Sequence, residues 1–262
     1  MNTLDDTPYA QDLRQRAHIA LACLDLTSLN DHDTEADISQ LCQRAQSRFG
    51  PVAAVCVWPR LAAYARAQLP AHIGVAAVAN FPNGNLDVGA AVQDTLQIVQ
   101  SGAQEVDVVM PYKALMAGDE AAASQLLRAV RQACPGLLLK VILETGELQT
   151  IALIERASEL ALDAGADFLK TSTGKTTIHA TVEAAATMLG VIARRASLAG
   201  FKASGGIRTV KDAVVFESLT AHILGDAALN PRRFRIGASS LLGDIETTLG
   251  GAPTGVNSAS SY

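Results

Sequence analysis

Two lysines sit inside runs otherwise suited to β-strands: Lys170 in Ala166 to Lys175 (ADFLKTSTGK) and Lys202 in Gly200 to Arg208 (GFKASGGIR). An ammonium group is costly to keep charged in apolar surroundings, so a buried lysine tends to shed its proton and become a nucleophilic amine. The chemistry this points to is Schiff-base formation with a carbonyl. The competing reading puts each lysine on a solvated edge strand. Glycine-containing turns a few residues after both favour the first reading.

A second signal is for an anion. Gly205 and Gly206 close one strand-like run, and Gly237, Ser239 and Ser240 lie where the next such run turns into a last helix. Free backbone amides at a helix start, with hydroxyl donors beside them, form a phosphate pocket. Gly174 and Lys175 can add further donors and a positive charge. Gly-Gly alone reads equally well as a turn; two such loops after consecutive runs point to a phosphorylated substrate.

The elements that must position these residues repeat along the chain. Short apolar or β-branched runs occur at Ile19 to Asp25, Val52 to Trp58, Ile73 to Asn80, Glu105 to Pro111, Leu137 to Thr145, Phe168 to Thr173, Gly200 to Ile207 and Phe234 to Ser239. Successive starts are spaced by about thirty residues, the length of a strand, a helix and two turns. Helix signals fill the gaps at Asp119 to Ala133 and Leu148 to Ala164, with Gly102 and Gly165 as stops. This alternation predicts an α/β fold, a single closed (β/α)8 TIM barrel. An open doubly wound sheet is the alternative, but no GxGxxG follows the first run. Residues 1 to 17 read as a short N-terminal helix, residues 1 to 250 as one catalytic barrel domain, and residues 251 to 262 as a mobile C-terminal tail.

In such a barrel the polar residues late in each strand face the chemistry. They are Asp25 with Asn30, Asn80, Asp107, Lys140 with Glu144, Lys170 with Thr173, and Lys202. Alternation within EVDVV and LLLKVIL turns Asp107 and Lys140 to the interior. Lys140 with Asp107 reads equally well as a buried ion pair that holds the barrel together. Cys56 stands where it either packs or borders the pocket and meets an electrophilic aldehyde product.

The 262-residue chain carries a net charge of −5 with no basic patch, one Trp and four Tyr, which argues against nucleic acid as a partner. No apolar stretch reaches membrane-spanning length and the N-terminus is polar and acidic, so no membrane is expected and a cytoplasmic location is. Cys23, Cys42, Cys56 and Cys134 lack metal-ligand spacing and read as reduced thiols. His18, His72 and His222 fall in or beside helices and His32 and His179 in separate loops, which disfavours a metal. The helix faces do not divide into solvent and interface, and a homodimer stands as an expectation only.

The motifs LDLTSLN (Leu24 to Asn30), VAAVCVWP (Val52 to Pro59), ANFPNGN (Ala79 to Asn85), EVDVVMPYKALMAGD (Glu105 to Asp119), LKVILETGEL (Leu139 to Leu148), DFLKTSTGK, GFKASGGIRT and RIGASSLL (Arg235 to Leu242) follow in order over nearly the whole chain. Together they resemble the deoxyribose-phosphate aldolase family. The resemblance implies reversible cleavage of 2-deoxy-D-ribose 5-phosphate to D-glyceraldehyde 3-phosphate and acetaldehyde, with no metal or organic cofactor. It implies Lys170 as the Schiff-base lysine, Lys202 as its neighbour and Asp107 as the acid/base partner. Gly174, Lys175, Gly205, Gly206, Gly237, Ser239 and Ser240 would hold phosphate; Asp25, Asn30, Lys140 and Thr173 are expected at the substrate from their places at the ends of the strands. The terminal SASSY resembles the tail of one branch, which adds Tyr262 as a candidate for the proton step. Ala203 stands where some members have proline. Two readings outside the resemblance remain: a phosphosugar isomerase using Asp107 or Glu144 as base, and a barrel that only binds a sugar phosphate. Neither accounts for both Lys170 and Lys202.

Overall fold

Alternating strands need both faces covered, one by helices and one by the lumen of a closed sheet, and the chain does both. In a computed structural model describing residues 8–250, eight parallel strands close into a barrel. They are β1 (Leu24–Thr27), β2 (Ala54–Val57), β3 (Gly74–Ala79), β4 (Glu105–Val109), β5 (Leu138–Ile142), β6 (Phe168–Lys170), β7 (Gly200–Ser204) and β8 (Phe234–Ala238). Each pairs in parallel with its chain neighbours, and β8 pairs with β1 to close the ring. The closed barrel was the expectation, and the open sheet is set aside.

Outward side chains such as Val55, Val75, Val106, Leu139, Leu169, Phe201 and Ile236 pack into one core with the surrounding helices. Each fully buried side chain of this kind contributes about 1.5–3 kcal/mol of transfer free energy. Helix starts are set locally: Thr34, Asp87, Asp119, Thr150, Thr181 and Thr209 each accept a backbone N–H from the first helical turn. Gly102 and Gly165 follow helix ends with φ of 77° and 87°, the left-handed region that glycine enters without a Cβ penalty.

The first strand corrects an expectation. Ile19 to Ala22 belong to the N-terminal helix Pro8–Ala22, and the strand begins only at Leu24. That helix packs on the helices Val210–Leu224 and Leu241–Thr248, and Ala17, Ala20 and Leu21 are buried. A short apolar run does not say which period it follows, and here the tertiary seat decides. The strand-like runs also end early: Asn80 and Glu144 turn the chain with φ of 53° and 55°. The proposed tail and Tyr262 lie outside the described residues. Among the described residues no helix is long and apolar enough to cross a membrane.

Candidate active site

Strand alternation sends Asp25, Glu105, Asp107, Lys140, Lys170, Lys202 and Arg235 into the lumen. Small residues opposite make the room. A Cβ on Gly200 would stand 2.3 Å from the Phe168 ring, and one on Gly237 would stand 3.0 Å from Lys202 Cε. The wall made by β2 and β3 is apolar instead, with Cys56, Ala76 and Val78 packed beneath Leu29.

The charged side chains form one connected ladder. At its base Arg235 donates to Asp25 Oδ1 at 2.5 Å and to Glu105 Oε1 at 2.9 Å. Lys140 Nζ donates to Glu105 and, at 2.8 Å, to Asp107 Oδ1. Asp107 Oδ2 then accepts from both Lys170 and Lys202, each at 2.8 Å, while Lys202 also donates to Asp25 Oδ2 at 2.5 Å. Burial opposes the charge on Asp107, yet Lys140, Lys170 and Lys202 more than offset it and hold the carboxyl well below its ordinary range. Burial likewise presses on Lys202, but Asp107 and Asp25 outweigh it and its pKa ends raised.

Lys170 differs. Burial lowers its pKa, Asp107 pulls it back, and the Lys202 charge lowers it further, so the balance falls below the ordinary lysine value. The charge count agrees: Asp25, Glu105 and Asp107 already face Lys140, Lys202 and Arg235, and a protonated Lys170 would be an unmatched fourth cation. Lys170 is also where the ladder meets open space. It lines a cleft at the C-terminal mouth of the barrel together with Thr27, Leu29, Thr173, Gly174, Ser204 to Arg208 and Gly237 to Ser240. An amine that holds its proton less tightly than an ordinary lysine thus faces a cleft whose far side is made of glycine loops. Gly174, Gly205 and Gly206 take φ of 79°, 81° and 77°, and Ser240 stands at the N-cap position of the helix Leu241–Thr248 without a side-chain capping bond.

The structure brings together Lys170, Thr173, Gly174, Gly205, Gly206, Gly237, Ser239 and Ser240 along this cleft, with Lys202 and Asp107 directly behind Lys170. Other residues expected at the site lie apart from this cleft. Asp25 and Lys140, expected at the substrate, are both 0 % exposed and lie below the cleft, where Arg235, Glu105 and Lys202 occupy them. Asn30 does not line the cleft either; its side-chain amide donates to Asp33 at 2.9 Å and its carbonyl accepts from Trp58. Lys175 lies at the rim, where its Nζ donates to Leu29 O at 2.8 Å. Cys56 is sealed in the wall rather than bordering the cleft, with burial pushing its thiol up to about 11.

Sequence reading missed Glu105, Arg235, Ser204 and His179. Glu105 stands two residues before Asp107 and Arg235 alternates with apolar neighbours in FRIGA, so strand periodicity held the signal. His179 packs against Gly205, where a Cβ would lie 2.9 Å from its ring. Glu144 accepts from the Thr173 amide and from the Thr173 hydroxyl at 2.5 Å, which fixes the turn that carries Gly174.

The description "DeoC/LacD family aldolase" matches residues 19–244. A curated deoxyribose-phosphate aldolase of Agrobacterium fabrum is 48% identical over 253 residues, covering 95% of this chain and 97% of that protein. A Coccidioides immitis structure, provisionally assigned as a deoxyribose-phosphate aldolase, is 34% identical with a TM-score of 0.78, covering 88% of this chain and 86% of its own. A Toxoplasma gondii structure with the same provisional assignment superposes with a TM-score of 0.85 at 22% identity, over 94% of this chain and 99% of its own, which supports the fold.

Proposed function

This chain belongs to the DeoC/LacD aldolase family, and on that premise we propose how its lumen and cleft carry out the reaction. It is a deoxyribose-phosphate aldolase, cleaving 2-deoxy-D-ribose 5-phosphate reversibly to D-glyceraldehyde 3-phosphate and acetaldehyde. Family membership displaces the isomerase and binding-only readings.

Lys170, in its deprotonated form, attacks the aldehyde carbon of the ring-opened sugar phosphate, and loss of water gives an iminium that draws electrons from the adjacent bond. The bond between carbons 2 and 3 then breaks. The proton of the carbon-3 hydroxyl passes to Asp107, directly or through a water, and D-glyceraldehyde 3-phosphate leaves. Protonation of the remaining enamine at carbon 2 and hydrolysis of the iminium release acetaldehyde and restore the amine. Asp107 is held ionised by the charged lysines beside it, Lys140 and Lys202, so it stands open to a proton but is too weak a base to keep it. The substrate phosphate is held by Gly174, Gly205, Gly206, Gly237, Ser239 and Ser240.

The observation that carries this assignment is the position of Lys170: the one member of the buried ladder that lines the cleft. Borohydride reduction in the presence of acetaldehyde is expected to leave a two-carbon adduct on Lys170, located by peptide mass mapping. An active enzyme with Lys170 unmodified and another lysine labelled would reject the role. A cytoplasmic location accompanies the proposal, in keeping with four cysteines that are all free and buried.

A further inference from the structure

Ser204 ends β7 two residues after Lys202, so the two side chains point the same way into the lumen. It is 4 % exposed and lines the cleft, yet its Oγ has no hydrogen-bond partner among the described residues. Its backbone is fully engaged: the amide donates to Thr171 Oγ1 at 3.0 Å and the carbonyl accepts from the same hydroxyl at 3.3 Å. A buried hydroxyl left unpaired is destabilising, so its presence at this point asks for a partner that arrives later. Thr145 Oγ1 and Ser172 Oγ are also buried without partners, but neither residue lines the cleft.

The space in front of Ser204 is kept open by its neighbour in β8. A Cβ on Gly237 would lie 2.6 Å from Ser204 Oγ and 3.0 Å from Lys202 Cε. The hydroxyl therefore stands between the lysine pair and the glycine and serine loops at the far side of the cleft. With the aldehyde carbon at Lys170 and the phosphate on those loops, the carbons in between carry two hydroxyl groups. One is the carbon-3 hydroxyl, whose proton goes to Asp107. The other, on carbon 4 beside the phosphomethylene group, has no partner assigned so far.

We infer that Ser204 Oγ hydrogen-bonds that carbon-4 hydroxyl and is a specificity-determining residue for the acceptor aldehyde. The inference rests on the aldolase reading. It makes the enzyme distinguish phosphorylated aldehydes by the hydroxyl next to the carbonyl: with it, the buried Ser204 is satisfied; without it, Ser204 stays unpaired.

The test compares aldol addition of acetaldehyde to two acceptors, D-glyceraldehyde 3-phosphate and 3-oxopropyl phosphate, which lacks that hydroxyl. Ser204→Ala is expected to lower kcat/KM for the first by about tenfold to a hundredfold and to leave the second unchanged. Because the readout is a ratio on one protein sample, partial misfolding cancels. Ser204→Cys, similar in shape and a poor donor, is expected to repeat the selective loss. Equal losses for both acceptors in either variant would overturn the role of Ser204 alone. A wild-type enzyme that condenses acetaldehyde with neither acceptor would overturn the aldolase reading, and this inference with it.

Discussion

The lumen and the seam between the helices Pro8–Ala22 and Val210–Leu224 both bury a carboxyl group completely, and the two groups end in opposite states. Asp107 is surrounded by Lys140, Lys170 and Lys202 within hydrogen-bonding distance and is driven well below its ordinary pKa. Glu217, also 0 % exposed, has no hydrogen bond to either oxygen among the described residues; the Arg16 guanidinium stands 3.9 Å away and also faces Asp12 at 3.8 Å. Burial pushes Glu217 up to about 8. Burial is equal in the two places, so it does not decide the charge state. The density of fixed opposite charge does, and the barrel concentrates that charge where the chemistry is.

The contrast breaks most visibly at Lys170. Lys170→Ala removes the nucleophile and leaves the ladder of three cations and three anions intact, so kcat is expected to fall by about 10⁴-fold or more while the fold survives. Circular dichroism and single-turnover assays check both halves. Residual activity near wild type would dissociate the lumen from the reaction.

Asp107→Asn tests the lumen's charge balance. It leaves Lys140, Lys202 and Arg235 facing only Asp25 and Glu105, and it deletes the proton acceptor. Turnover is expected to drop by about 10²–10⁴-fold and stability by about 3–5 kcal/mol, the usual cost of breaking a buried ion pair from one side. Denaturant titration beside steady-state kinetics separates the two effects. Loss of stability with full turnover would leave Asp107 a structural residue.

These lumen residues also mark what could be read from sequence. Lys170, Lys202 and Asp107 stood out because each interrupts an apolar strand, and strand alternation told which way they point. The rhythm of strands and helices gave the barrel for the same reason: each unit writes its own period. Contacts between distant segments are written nowhere locally. Arg235 and Glu105 are far apart in the chain and meet only because the barrel closes, so neither looked functional. Asp25 and Lys140 lie deeper than the cleft, and sequence gives a side chain's face but not its depth in the lumen. The loop that carries Asn30 is organised by Asp33 and Trp58, partners that no spacing rule selects. Ile19 to Ala22 were misread because four apolar residues fit a helix face and a strand equally well.

A finer test acts at the base of the ladder, out of reach of the cleft. Arg235→Met removes a cation from the lumen, so a proton on Lys170 becomes easier to accommodate and the acidic limb of kcat/KM is expected to move to higher pH. Glu105→Gln removes an anion and is expected to move it to lower pH. At a fixed pH on that limb the two variants should differ by about threefold to tenfold in opposite senses. Full pH profiles are needed because both changes also cost stability, which would lower the plateau without moving the limb. Shifts of the same sign would show that distant charges act through packing instead of through Lys170.

The seam offers the complementary test, with no effect on catalysis expected. Glu217 has an ordinary carboxyl value of 4.5 in the unfolded chain and about 8 in the folded protein. The folded state therefore binds more protons between those limits, and stability declines as pH rises from the lower value through the upper one. Below about 4.5 this contribution is complete; above 8 the protein must hold a charged, buried carboxylate faced, among the described residues, only by Arg16 at 3.9 Å, or open the seam. Paired acids in the lumen act in the other direction, since Asp25 and Asp107 are depressed and lose their contribution only as pH falls. Glu217→Gln keeps the shape and removes the titration, so its melting temperature should be flatter than that of wild type from pH 6 to 9 and higher at pH 9, by on the order of a few kcal/mol of stability. Parallel curves for the two proteins would mean that Arg16 neutralises Glu217 after all, and that buried carboxyls inside and outside the barrel obey the same pairing.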